Sequence, residues 1–175
     1  MNKLILIPFI AFLFSFQSLS AQKSEVRKEA LEWHTDLMKA NALSQKTHKP
    51  IFAFFTGSDW CGWCRKLQHD VFSKPEFIQW AQKNVILLEL DFPRGKKLPP
   101  ELSKQNTDLQ QTFQVQGFPT IWLFFMAKDE ATGKFNISAL GNLGYPPDAE
   151  QGKEEVKFLA TAKEILTHSK SKANP

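Results

Sequence analysis

Cysteine is scarce in this chain of 175 residues: there are two, Cys61 and Cys64. A small fold stapled by several dispersed disulfides is therefore excluded. A zinc site built from this pair would need two more ligands, yet there is no second C-x-x-C. The four histidines, His34, His48, His69 and His168, never fall at H-x3-5-H spacing. Blocks of like charge are missing too. The formal net charge is +4, and neither Lys96 and Lys97 nor the tail lysines Lys163, Lys170 and Lys172 make a run of five or six. This argues against a nucleic-acid-binding arm and for an ordinary solvated face. No apolar stretch reaches the ~20 residues that span a bilayer, and no internal repeat is present.

What is there begins with Met1, Asn2 and Lys3, followed by the apolar run Leu4 to Phe16 (LILIPFIAFLFSF) and by small residues at Ser18, Ser20 and Ala21. A short basic start, an apolar run and a small-residue exit are the layout of a secretory signal peptide. Residues 1–21 are expected to be removed, leaving 22–175 as one domain of 154 residues, a common domain size. An uncleaved anchor is the alternative. Removal takes away Lys3 and no acid, so 21 basic residues then stand against 18 acidic ones.

Apolar spacing predicts a helix from Val26 to about Gln45, closed by the turn THKP. Ile51 to Phe55 (IFAFF) reads as a strand buried on both faces, followed by a helix from about Cys61 to Val71. Ser73 is a candidate cap for the next helix, with Pro75 in its first turn. Val85 to Leu90 reads as a second strand, and FPRGKKLPP as an irregular insert. A helix over Leu102 to Phe113 and a turn at GFPT precede a third strand, Ile121 to Phe125. A hairpin at Thr132 and Gly133 leads to a fourth strand near Phe135 to Ile137. The loop ALGNLGYPP and a helix from about Ala149 to Leu166 complete an α/β chain with a mixed sheet of about four strands and helices on both faces.

The cysteine turn, GSDWCGWCRK, is the chemical feature. At the start of a helix the Cys61 sulfur faces unpaired backbone N–H groups and the positive end of the helix dipole, and both favour thiolate. Arg65, Lys66 and His69 add to this, while Asp59 and Asp70 oppose it. Cys64, one turn inward, is suited to resolve a mixed disulfide formed by Cys61. A structural disulfide would close a ring too small to remove much chain entropy, and two inert thiols fit poorly beside an exposed turn. Trp60 and Trp63 either roof the core or contact a substrate peptide; both readings stand.

W-C-G-W-C-R-K at Trp60 to Lys66 after a buried strand, with V-Q-G-F-P-T-I at Val115 to Ile121 before another, resembles the thioredoxin superfamily. Within it, the likeness is to secreted thioredoxin-like proteins and to the C-terminal domain of a bacterial transmembrane reductase. The match covers roughly residues 30 to 166. The resemblance implies a thioredoxin fold in which Cys61 attacks, Cys64 resolves, and Pro119 follows a cis bond that frees the Phe118 backbone for a substrate strand. Trp60, Trp63, Phe118 and Pro119 are thus expected to bind substrate. It also implies a secreted, periplasmic thiol-disulfide oxidoreductase, more a reductase than an oxidase. Its partners would be cysteine-containing proteins and a protein that recycles the pair. No cofactor beyond the cysteines, no metal, no nucleic acid, no membrane after cleavage and a monomeric state are expected. One departure matters: the acid that thioredoxins bury in the strand before the cysteines is replaced by Phe54 or Phe55, leaving Glu89 and Asp91, one strand period of two apart, as candidates. A chaperone-like binding module and a membrane-tethered electron relay are the rival readings.

Overall fold

The computed structural model describes residues 30–173, with side chains to His168. The segment assigned to a signal peptide lies outside the described residues. Eleven elements follow in order: β1 (Trp33–His34), α1 (Leu37–Thr47), β2 (Ile51–Thr56), α2 (Gly62–Leu67), a π-helical turn (Gln68–Phe72), α3 (Pro75–Asn84), β3 (Ile86–Asp91), α4 (Pro100–Thr112), β4 (Thr120–Lys128), β5 (Phe135–Leu143) and α5 (Glu154–Ala173).

Five strands, rather than about four, form one mixed sheet in the order β1-β3-β2-β4-β5. β1, β3 and β2 run parallel, while β4 is antiparallel to both β2 and β5. The central β2 is buried along its whole length, as its unbroken apolar run requires. Its alternation feeds two cores. Phe52 and Phe54 face α2, α3 and α5, where Leu67, Phe72, Phe77 and Phe158 meet them together with both cysteines. Ile51, Ala53 and Phe55 face α1 and α4, packing with Ala40, Leu109, Phe113 and Phe124.

Several sequence expectations are corrected. The first helix does not reach back to Val26 through the described residues. Trp33 and His34 instead pair with Leu87 and Leu88 as the edge strand β1, and Asp36 caps α1 by accepting the Lys39 N–H at 3.0 Å. Ser73 does not cap α3: its hydroxyl donates to the His69 carbonyl, and the helix opens from Lys74 with Pro75 in its first turn. The fourth expected strand is longer than three residues, because β5 continues through ALGNL to Leu143. A shift in register at Leu123/Phe124 absorbs Leu140, and a Cβ on Gly141 would press on the Ile165 side chain at 3.1 Å. Finally, α5 starts at Glu154 and not near Ala149, since Asp148 and Gly152 take left-handed backbone conformations that hold the preceding loop irregular.

Candidate redox site

β2 delivers the chain to its C-terminal end at Thr56, and the next five residues turn it into α2. Gly57 carbonyl accepts the N–H groups of Trp60 and Cys61. Gly57 must lack a side chain, because a Cβ there would lie 2.4 Å from the Trp60 indole. Cys61 occupies the cap position of α2 with extended backbone, and the Cys64 N–H donates to the Cys61 sulfur at 3.1 Å. The sulfur is thus the capping acceptor of a helix start, as the sequence suggests. Cys61 and Cys64 are joined as a disulfide. Cys61 keeps 5% of its surface and Cys64 only 1%, so the leading cysteine is the more accessible residue of the two.

The aromatic residues frame this disulfide from two sides. Trp60 is 37% exposed. It donates its indole N–H to the Phe92 carbonyl at 2.8 Å, and its ring lies 5.9 Å from Phe118. The Arg94 guanidinium stacks 3.9 Å over it. Trp63, 60% exposed, meets Tyr145 edge-on at 5.2 Å. The Phe118–Pro119 bond is cis; Phe118 packs against both cores. A Cβ on Gly144 would lie 3.2 Å from the Pro119 carbonyl oxygen. A shallow groove of about 390 Å³ runs along Gly117, Phe118, Pro119 and Thr120.

Two polar clusters near the turn are not evident in the sequence. Beside Trp63, Asp70 accepts the Tyr145 hydroxyl at 2.8 Å and His69 Nδ1 at 2.8 Å, and it pairs with Lys66. The bonds from His69 and Lys66 hold the Asp70 carboxyl below the usual carboxylate range, and the bonds of Lys66 to Asp70 and Tyr145 push its ammonium up. Tyr145 is the single tyrosine of the chain, the only signal that could have singled it out. Beside Trp60, Asp91 accepts the Ser58 N–H and hydroxyl at 2.8 and 2.7 Å and pairs with Lys96 at 3.2 Å. Asp59 accepts the backbone N–H groups of Arg94 and Gly95.

The two candidate acids therefore differ. Asp91 is occupied in fastening the Ser58 loop. Glu89 lies in register with Phe54, hence on the sheet face that carries the cysteines. Burial, with Asp91 next along the strand, pushes its carboxyl up.

Fold and site define a thioredoxin-like protein. A profile of the family described as "Thioredoxin-like domain" matches residues 37–133, and the chain belongs to that family; with its Cys61–Cys64 pair it is a thiol-disulfide oxidoreductase. Among individual relatives, it is 34% identical to the disulfide bond reductase DsbH of Chlamydia pneumoniae over 115 residues, 66% of this chain and 68% of that one. It is 34% identical over 97 residues to the thiol:disulfide interchange protein DsbD of Klebsiella pneumoniae, covering 55% of this chain but 14% of DsbD. The solved structure of a DsbH oxidoreductase superposes with a TM-score of 0.63 at 31% identity, covering 78% of this chain and 85% of that one. A thioredoxin from Thermus thermophilus, with a TM-score of 0.53 at 16% identity over 78% of this chain and 88% of that one, shares the fold.

Proposed function

We propose that the protein is a periplasmic disulfide reductase in which Cys61 attacks and Cys64 resolves. The carrying observation is the capping position of Cys61, whose sulfur already accepts a backbone N–H where a thiolate would need one. The Cys61 thiolate attacks one sulfur of a partner disulfide, a mixed disulfide forms, and the other partner sulfur leaves as thiolate. Cys64 then loses its proton and attacks the Cys61 sulfur, releasing the second partner thiolate. Two electrons have moved to the partner, and the pair is left as the disulfide seen in the structure.

Glu89 is suited to take the Cys64 proton, because it lies on the cysteine face and its burial makes it a stronger base than a solvated carboxylate. The partner strand would lie along the Phe118–Pro119 groove, flanked by Trp60 and Trp63. The reductase direction is supported by the likeness to DsbH, whose name is that of a disulfide bond reductase. Potentials on this fold span about −270 to −120 mV, roughly 7 kcal/mol, so the equilibrium constant with glutathione decides it. Export rests on the composition of residues 1–21.

The rival chaperone-like reading would need a broad apolar surface. Among the described residues, the exposed large apolar side chains beyond Trp60 and Trp63 of the cysteine turn are Met38 on α1, Phe135 on β5 and Val156 on α5, each on a different element. Cys61→Ser should abolish reduction of insulin disulfides, and Cys64→Ser should trap the mixed disulfide; activity kept in the first variant would defeat the proposal.

A further inference from the structure

The insert between β3 and α4 reads in the sequence as a surface irregularity, but it is bolted to the redox turn. Asp59 binds the N–H groups of Arg94 and Gly95 at 3.0 and 2.6 Å, the Trp60 indole holds the Phe92 carbonyl, and Lys96 joins the Asp91 that fastens Ser58. A Cβ on Gly95 would already meet Asp59 at 3.0 Å. Phe92 closes the ring of contacts on Phe118 at 5.1 Å. Such ties fix the side chain of Arg94 in place, flat on the Trp60 ring and one residue from Cys61.

The carboxylate of Asp59 is taken up by two backbone N–H groups and that of Asp91 by Ser58 and Lys96. Among the described residues, no carboxylate is ion-paired with Arg94 or Lys97, both exposed. A cation held on an aromatic face keeps its outer donors for another group, and a guanidinium presents them in a fork that matches a carboxylate.

The geometry points to Arg94, with Lys97, as the specificity-determining element of the redox site: it selects partner proteins that carry an acidic side chain within a few residues of the cysteine being attacked. This deepens the oxidoreductase reading and rests on it. The attraction acts between exposed charges, so it should show as a modest, salt-sensitive preference in the rate of encounter.

The test pairs two disulfide-linked peptides identical except for two flanking residues, Asp in one and Lys in the other, with the reduced protein. The wild type should prefer the acidic peptide by about fivefold in the second-order rate constant of a single exchange at low salt, and the ratio should fall toward unity at about 1 M sodium chloride, where the screening length is about 3 Å. Arg94→Glu should invert the ratio. Lys97→Glu, which leaves the stack on Trp60 in place, should lower it. A wild-type ratio near unity at low salt, or one unchanged in both variants, overturns the inference. If the wild type also fails to exchange with the uncharged bis(2-hydroxyethyl) disulfide, the oxidoreductase reading falls with it; if it exchanges normally, only the charge preference is lost.

Discussion

At the scale of residues, two carboxylates near the cysteines respond to pH with opposite sign. Asp70 is held low by His69, Lys66 and Tyr145. Its contribution to stability is complete above the ordinary aspartate value near 4 and is lost as pH falls toward its depressed folded value. Asp70→Asn should therefore flatten the decline of the urea midpoint between about pH 4 and pH 2. Glu89 is pushed up by burial and by Asp91, so its penalty is absent in acid and develops as pH rises through its folded value. Glu89→Gln should raise the urea midpoint at pH 7 and leave it unchanged near pH 4. If Glu89 takes the Cys64 proton, the same variant will slow the resolving step and accumulate mixed disulfide. A midpoint that rises equally at both pH values would show that packing, not ionisation, distinguishes the variant.

At the scale of elements, β2 carries the fold. Phe52 is fully buried and meets Trp33, Phe72, Phe77, Trp80 and Phe158 at centroid distances of 5.8 to 6.3 Å. Phe52→Ala should cost about 3–5 kcal/mol in urea unfolding with little change in the slope. This strand was legible because five consecutive apolar residues leave no solvent face. The turn after it was legible too, because cysteine spacing and the GFPT motif are local signals. Elements governed by distant partners were not. Trp33 sits at helical spacing from Leu37, yet it pairs across the sheet edge with Leu87. The glycines of ALGNLG look like loop residues, while Gly141 is a strand residue made small by Ile165. Likewise nothing near Asp59 in the sequence announces that it will hold Arg94 and Gly95, thirty-five and thirty-six residues on.

At the scale of the whole molecule, the described residues contain no helix long and apolar enough to cross a membrane. The anchoring question therefore rests on residues 1–21. The exported protein should have the mass of residues 22–175, and a mass retaining the first 21 would support the tethered electron relay instead. The domain that remains should fold and exchange disulfides without them. The cysteine-side core is completed by Phe158, Leu159 and Ala162 of α5. The ribosome makes the cysteines about ninety residues before that helix begins, at a stage when the wall behind them is unfinished. Newborn chains stopped short of Glu154 should therefore be alkylated at Cys64 as well as at Cys61, whereas in the finished, reduced protein the buried Cys64 should be spared.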